Sequence, residues 1–351
     1  MLTTLPFNSE FDLDPWVGQR SFTFTFERIN GLTGEHLGFV TPLRNATLSH
    51  DTSRTIKRQL NLNFGVVDAA ALNPLTDRID VSMIDSSGTS WPLGRYMFTD
   101  DTDKVTTSGH IDDMVLNDEM FLVDQEIVVG IDAATLSIPV VVQQIMAGLG
   151  IPQNIEGSPF SSAQSWAAGT MRGSILEALA VSGDYFSPWF DNNKMFRMIR
   201  SFNPAKKVPQ FDFDAGNQVI RDSISTSSNL LTAPNRFLVT SNTNTGDNNT
   251  PISAIATVPP TAPHSFANRG FYITQSQNIQ LNSTTQAQAV AENLANRFTV
   301  FETTTLSTAL DPRHDSYDVI HWQGSLWLEL GWNMTLSPGG VMTHVMRKAY
   351  G

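Results

Sequence analysis

Alternation of apolar and polar side chains predicts several strands in the first third of the chain. Residues 22–26 run Phe-Thr-Phe-Thr-Phe, which is the period of a strand with one buried face. Residues 56–64 repeat this alternation, with Arg58 as a charged exception on the apolar face. Further alternation over 79–96, interrupted by a Ser-Ser-Gly turn, predicts a β-hairpin. We therefore expect residues 1–130 to form an antiparallel β-barrel or sandwich.

The pattern changes after residue 130, where helical periodicity begins. Residues 138–149 predict a short helix with Pro139 in its first turn. Apolar residues on one side of 171–181 predict a second helix, and 185–199 has the pattern of a hairpin packed against it. Residues 131–210 are therefore predicted to be a small α+β module.

A second β module is predicted over residues 211–240 and 299–351. The region between them, 241–298, is predicted to be an insertion of loop and helix, because apolar residues recur at i+3, i+4, i+7 and i+11 from Ala287. The predicted strands of this part of the chain cover residues 235–240, 299–309, 319–321, 326–330 and 341–346. The expected fold class is mainly β with an α+β insertion. Two β-barrel-like modules and a small α+β module would share a multi-domain chain of 351 residues.

An exposed loop is predicted in the insertion, because ten consecutive positions carry almost no apolar side chain. These positions are Ser241, Asn242, Thr243, Asn244, Thr245, Gly246, Asp247, Asn248, Asn249 and Thr250. Four prolines over 251–263 extend the predicted loop region. Such loops are candidate assembly contacts with neighbouring proteins, ordering when the complex forms.

The composition excludes several classes of function. The chain has no cysteine, which excludes disulfide frameworks, thiol catalysis and cysteine zinc sites. Its net charge of −12 argues against tight nucleic-acid binding, which needs clustered Lys and Arg. Two adjacent basic pairs, at 57–58 and 206–207, are predicted to lie at solvated strand edges or turns. An acidic wall would instead suit a conduit past which DNA slides without sticking.

Neither a membrane-spanning segment nor a secretory signal is expected. The longest apolar run, at 138–142, is far short of the roughly 20 residues that a membrane helix needs. The first 14 residues carry three acidic side chains and no basic one, which contradicts the basic start of a secretory signal.

No catalytic, cofactor-binding or metal site is predicted. The seven histidines lack the spacing of a metalloprotease helix, and the chain has no phosphate-binding glycine loop or nucleophile elbow. The clusters at 110–113 and 311–315 each join one histidine to carboxylates that could hold a cation, but polar turns explain both more simply. Asp212 and Asp214 share one strand face, as the acid and base of a glycosidase would. Paired carboxylates are, however, common on strand surfaces.

The late tryptophans have two interpretations. Trp322, Trp327 and Trp332 could present indole faces to a sugar, with Trp327 and Trp332 as the candidate glycan contacts. The alternative, which we favour, is that their spacing buries at least one of them in a β core.

Several short segments, in a particular order, resemble one protein family. They are residues 46–54 and 58–62, Leu-Gly-Arg-Tyr at 93–96, the helical segment 174–179, Trp-Phe-Asp at 189–191, the helix 287–298, and Asp-Pro at 311–312 followed by 318–320. The chain resembles the hub proteins of tailed-bacteriophage tail tips, also called baseplate hub, tail-associated or minor tail proteins.

The resemblance implies a structural, non-enzymatic role. In such hubs, two barrel modules per chain in a homotrimer make a ring of six barrels that stacks on the tail tube. The chain would join the distal tail or tail-tube ring to other tail-tip proteins and surround the exit channel of the tape-measure protein and DNA, without binding DNA specifically. Three copies would carry three times −12, or −36, and part of this charge would line the channel. The expected location is the distal tip of the virion tail, after assembly in the host cytoplasm.

Three other functions compete with the hub. A distal tail protein would form a hexameric ring rather than a trimer. A carbohydrate-binding tail adhesin would use Trp327 and Trp332. A glycoside hydrolase would use Asp212 and Asp214, and it is the most remote of the three.

Overall fold

The computed structural model describes residues 22–42, 44, 46–65, 72–106, 109–214, 219–228, 231–241, 252–297 and 302–349. The strands in these residues are β1 (Thr23–Asn30), β2 (His36–Val40), β3 (Ala46–Asp51), β4 (Arg58–Gly65), β5 (Asp77–Ile84), β6 (Ser90–Thr106), β7 (Gly109–Asp118), β8 (Gln153–Ile155), β9 (Trp189–Phe190), β10 (Phe196–Met198), β11 (Phe211–Asp212), β12 (Val219–Ser228), β13 (Arg236–Ser241), β14 (Ile252–Thr257), β15 (Thr274–Asn278), β16 (Glu302–Ala309), β17 (Val319–Trp322), β18 (Ser325–Leu336) and β19 (Val341–Lys348). The α-helices are α1 (Met120–Val123), α2 (Ile138–Met146), α3 (Arg172–Ser182), α4 (Phe266–Arg269) and α5 (Thr284–Arg297), and a 3-10 helix covers Pro204–Lys206.

One large sheet runs through both ends of the chain. Its order is β12-β16-β19-β18-β3-β4-β7-β6-β5-β1-β2, with β17 paired on β18 and β11 on β17. Strand β18 joins the two halves, because residues 325–328 pair with β17 while residues 331–336 pair with β3. The register of β18 against β19 shifts between Glu329 and Gly331, where this change of partner occurs. The last strands of the chain therefore complete the sheet begun by the first ones.

The two largest apolar cores that pack against this sheet both contain residues of β18. In the larger one, Leu60, Leu62 and Phe64 of β4 are fully buried on one face, as the alternation predicted. The predicted hairpin over 79–96 is the antiparallel pair β5–β6. Strand β18 adds Trp332 to this larger core. The smaller core contains Phe213, Leu306, Ile320, Trp322, Trp327 and Met346.

The two helices predicted after residue 130 are present. They are α2 and α3, which pack with the three-stranded sheet β8-β10-β9 around a separate apolar core. Helix α2 has a proline at its start and ends at Met146, before Gly148 at a φ of +82°. That left-handed conformation is accessible to glycine without steric cost, so the chain turns away here.

A further three-stranded sheet, β14-β13-β15, packs against helix α5. Phe237 and Val239 of β13 are fully buried beneath the small side chains of Ala287 and Ala291. Two expectations are corrected here. Strand β13 belongs to this sheet rather than to the second β module, and β14 occupies part of the predicted loop 251–263. The reason is packing, since an alternating strand pairs with whichever partner buries its apolar face.

The fold class predicted from the sequence is confirmed. The chain is mainly β, with several sheets and short helical segments around them. Among the described residues, no helix has both the length and the apolar content to cross a bilayer.

Candidate functional site

The predicted glycan contacts are buried side chains. Trp327 and Trp332 are each 2% exposed. The indole of Trp327 donates a hydrogen bond to the carbonyl of Trp322 at 2.9 Å, and Trp332 packs against His50 with 5.3 Å between ring centroids. Neither ring offers a face to a sugar, so the core interpretation of these tryptophans is the one the structure supports.

The predicted assembly loop lies almost entirely outside the described residues. Ser241 alone is described, and it is the buried last residue of β13. Its hydroxyl accepts the N–H of Leu281 at 3.0 Å, which ties the end of the strand to the segment before α5. Ser241 is thus part of the sheet rather than the loop.

Arg58 is the centre of a buried polar junction between distant parts of the chain. Its side chain is 1% exposed, and its guanidinium donates to Asp315 Oδ1 and to Asn192 Oδ1, each at 2.6 Å. It also lies over the ring of Trp332, 5.4 Å from the centroid. The prediction that the pair at 57–58 is solvated is wrong, since Lys57 is also buried and donates to Ser187 Oγ at 2.6 Å.

The partners of Arg58 are held by further hydrogen bonds. The Trp189 indole donates to Asp315 Oδ1 at 3.0 Å. The side-chain amide of Asn192 donates to the carbonyls of Pro312 and His314 at 2.9 and 3.0 Å. The hairpin turn after β9 is therefore bound to β4 and to the loop before β17 at once.

Burial shifts the pKa values of the acidic groups around this junction. Desolvation raises the pKa of Asp118 to about 6, although its carboxylate accepts the N–H groups of Met120 and Arg58. Desolvation also raises the pKa of Asp315, against the opposing effect of Arg58. The pKa of Lys57 is lowered, again by burial.

A second buried cluster joins His314, Glu329 and His344, each 1% exposed or less. Nδ1 of His314 lies 2.8 Å from Glu329 Oε2, and Nδ1 of His344 lies 2.6 Å from Oε1. Burial opposes the charged form of Glu329, but the two histidines outweigh it and lower its pKa to about 2. Asp318 lies 4.0 Å from His314 Nδ1. Burial raises the pKa of Asp318 to about 8, so this contact is not an ion pair at neutral pH.

Asp212 and Asp214, the candidate acid and base of a glycosidase, lie at an exposed turn. Asp212 contacts His321 Nδ1 at 3.0 Å, and Asp214 accepts the backbone N–H groups of Gln323 and Gly324 at 2.7 and 2.9 Å. These N–H groups outweigh slight burial and lower the pKa of Asp214. A general acid needs the opposite shift, so this pair has the character of a turn-stabilising group.

Of the candidate cation cluster at 110–113, Asp113 is the one residue whose side chain the structure describes. The cluster at 311–315 is not one site. Its Asp315 turns to Arg58, while its His314 turns to Glu329.

Solved structures of tail proteins share this arrangement over nearly their whole length. A tail protein from Neisseria meningitidis superposes with a TM-score of 0.64 and 10% identity, over 94% of this chain and 97% of that one. The 43 kDa tail protein of prophage MuSo2 from Shewanella oneidensis gives 0.62 and 10%, over 92% and 98%. A prophage tail protein from Listeria monocytogenes gives 0.61 and 9%, over 92% and 94%.

This chain has the fold of phage tail proteins. No protein-family model and no curated protein matches its sequence. The likeness to tail proteins therefore lies in the arrangement of strands and modules, since the sequence identity is only near 10%.

The large sheet of this tail-protein fold has two open edges within the described residues. Strand β2 pairs there only with β1, and β12 only with β16. Phe39 on β2 is 66% exposed, and Ile220 on β12 is 41% exposed. Edge strands of monomeric proteins usually carry charges, prolines or covering segments that prevent pairing. Each of these two edges carries an exposed apolar side chain, although β12 also contains Arg221 and Asp222.

Sequence reasoning missed most residues of the two buried clusters, including Asn192, Glu329 and His344. The sequence did contain a signal for one charged residue in each cluster. Arg58 and Glu329 each interrupt the apolar face of a strand, and charged groups at such positions are buried only with partners. The identity of those partners was not readable, because they lie far away in the sequence.

Proposed function

We propose that this chain is a structural virion protein that forms the hub of a phage tail tip. It joins the distal end of the tail tube, through the tube or distal tail ring, to other tail-tip proteins. Its ring surrounds the channel through which the tape-measure protein and DNA leave. The observation that carries the proposal is the tail-protein fold, which extends over nearly all of this chain and of each solved tail protein. The location that follows is the distal end of the virion tail, after assembly in the host cytoplasm.

Open sheet edges support a closed ring of identical chains. When edge β2 of one chain contacts edge β12 of the next, the contact is head to tail, and a rotation of one third of a turn between neighbours would close a ring of three. Apolar residues exposed at both edges would be covered by this contact. Two β halves in each of three chains would present six similar units to the tail tube, so we propose a homotrimer.

The buried junction around Arg58 supports a structural role. It holds the first β strands, the α+β module and the loop before β17 in one arrangement through hydrogen bonds from the buried side chains of Lys57 and Arg58. A ring that remains attached during the passage of DNA needs subunits whose modules do not shift. The role is architectural and the chain is proposed to be non-enzymatic.

Charge supports passage of DNA rather than its retention. Each chain carries −12, and three carry three times this value, or −36. Negative charge in a lumen repels the phosphate backbone, so DNA does not stick to the wall.

Electron microscopy of intact virions and isolated tails, labelled with an antibody to this chain, tests the proposal. The expected result is a labelled ring with three copies around the channel at the distal end of the tube. Six copies would make the chain a distal tail ring protein instead. Label on peripheral fibres would support an adhesin, and virions without label would reject the structural role.

A further inference from the structure

Three segments bring metal-ligating atoms together in the interior. His314 comes from the loop before β17, Glu329 from β18 and His344 from β19, and one ligand atom from each lies within 4.8 Å of the other two. Phe211 stacks on the His314 ring at 3.7 Å between centroids, and the Phe213 ring lies 5.3 Å from that of His344. The cluster is thus enclosed by aromatic walls.

Thr308 contacts the outer nitrogen of His344. Its Oγ1 lies 2.8 Å from the carbonyl of Ala309 and 2.8 Å from Nε2 of His344. When the hydroxyl donates to the carbonyl, it accepts from Nε2–H, and Nδ1 of the neutral ring then holds a lone pair that points at Glu329 Oε1, 2.6 Å away. A lone pair and a carboxylate at this distance repel, so in this arrangement a cation lies between them, either a proton or a metal ion.

Protons can also satisfy the cluster, but in this arrangement they leave a charged ring in the interior. His314 can donate from Nδ1 as a neutral ring, whereas a second proton on His344, at its Nδ1, makes that buried ring an imidazolium, 4.7 Å from the His314 ring between centroids. A buried charge of this kind is costly unless it is paired. One divalent ion would replace the protons at both Nδ1 atoms and leave the two rings neutral.

We propose that His314 Nδ1, His344 Nδ1 and Glu329, with the carboxylate of Asp318 as fourth ligand, form a structural zinc site. Two carboxylates and one Zn²⁺ have no net charge, which suits a buried position. Imidazole with carboxylate is a zinc-type ligand set, and four protein ligands leave no open position for catalysis. The Thr308 hydroxyl orients His344 through its other nitrogen, as outer partners of zinc histidines do.

Movements of the ligands complete this site. Tetrahedral zinc with bonds of about 2.0–2.2 Å places its ligand atoms about 3.4 Å apart. The contacts of Glu329 with the two rings, at 2.6 and 2.8 Å, widen toward this spacing. Asp318, which lies 4.0 Å from His314 and outside the group of three, moves toward the ion. The metal ties the loop before β17 to β18 and β19, and it does so independently of the hub role.

Zinc content and cobalt substitution of the full-length protein test the site. Because the cluster is enclosed, the chain is unfolded in denaturant with a chelator and refolded with Zn²⁺ or Co²⁺ alone. We expect one metal ion per chain after gel filtration, the visible absorption of tetrahedral Co²⁺, and a higher Tm for the metal-loaded form. Wild-type protein that retains no metal and shows no such absorption overturns the proposal and leaves a hydrogen-bonded triad.

Variants locate the metal. His344→Gln should abolish retention, and Thr308→Val, which keeps all four ligands, should weaken zinc affinity by about 10–100-fold. His321→Gln alters the exposed cluster with Asp212 and should leave zinc content unchanged. Loss of the metal in His321→Gln, with retention in Thr308→Val at wild-type affinity, would place the metal at the exposed turn and overturn the assignment. If His344→Gln does not fold, the cobalt spectrum of the wild type and the zinc affinity of Thr308→Val decide whether the buried cluster binds the metal.

Discussion

The guanidinium of Arg58 and the carboxylate of Asp315 lie 2.6 Å apart in the interior, although 257 positions separate them in the chain. Arg58 stands on the first strand after the turn at 52–57, and Asp315 stands in the loop before β17. Replacing Arg58 by Ala removes a fully buried side chain and leaves Asp315, whose side chain is 27% exposed, without its cation. We expect the free energy of unfolding, measured in urea, to fall by about 3–5 kcal/mol.

Arg54→Ala is the matched control for this prediction. Arg54 lies four positions earlier and pairs with Asp51 at 3.4 Å, but its side chain is 57% exposed. Exposed pairs contribute about 0–1 kcal/mol, so its loss should be near that range. Equal effects of the two variants would show that the Arg58 pair is no stronger than a surface contact.

Truncation of the buried tryptophans should destabilise the fold without revealing a sugar site. Trp332→Ala and Trp327→Ala each remove a ring that is 2% exposed, and we expect a loss of about 3–5 kcal/mol in unfolding free energy. Phe271→Ala removes a ring that is 53% exposed and should cost far less. Glycan binding by the wild type that disappears in a folded Trp332→Ala protein would revive the adhesin.

Gly331 should be intolerant of any side chain, because a Cβ at this position would lie 2.6 Å from the carbonyl oxygen of His50. That contact falls where β18 pairs with β3 and joins the two halves of the large sheet. We expect Gly331→Ala to lower the free energy of unfolding by about 1–3 kcal/mol through overpacking. Gly157→Ala is the control, since a Cβ there meets no atom within 4 Å. Calorimetric Tm values that match for the two variants would contradict the close approach.

Asp118 should make the free energy of unfolding depend on pH. Burial raises its pKa from 3.8 to about 6, so the folded state keeps a proton that the unfolded state has lost. Its contribution to stability is present below about pH 4 and is lost as the pH rises to about 6. The free energy of unfolding of Asp118→Asn, relative to that of the wild type, should therefore rise by up to about 3 kcal/mol between about pH 4 and pH 7.

Asp85→Asn provides a control of opposite sign. Hydrogen bonds from Ser87 and Trp91 lower the pKa of Asp85 to about 2. The contribution of Asp85 is therefore lost only as the pH falls below about 4. In urea titrations, the free energies of unfolding of Asp85→Asn and the wild type should differ by a constant amount between about pH 5 and pH 7. If the difference in unfolding free energy between Asp118→Asn and the wild type is also constant over this pH range, the pKa of Asp118 is not raised.

Shortening the predicted assembly loop should separate folding from assembly. Ser241 and Ile252 are directly paired across β13 and β14, so a two-residue turn can replace residues 242–251. Ser241 itself is retained, because its hydroxyl accepts the N–H of Leu281. We expect an unchanged Tm and reduced incorporation into tails, measured by complementing phage that lack this chain. Normal incorporation would show that the loop is not an assembly contact.

Local patterns were sufficient for most elements and for the fold class. The alternation over 56–64 and 79–96, and the periodicity from Ala287, each depend on side chains a few positions apart. The buried face of β4 and helix α5 followed directly from them. Where periodicity was weak, as in β14 with its neighbouring prolines, the sequence predicted loop and the structure has a strand.

What the sequence by itself determined was the mainly β class, the positions of its principal strands and helices, and the absence of cysteine chemistry. Only the tertiary structure decided that β13 pairs with β14, that the halves of the large sheet join through β18 and β3, and that Arg58 meets Asp315. It alone brought His314, Glu329 and His344 together. The physical reason is that periodicity reports which face of an element is buried, whereas the partner on that face is chosen by packing among distant segments.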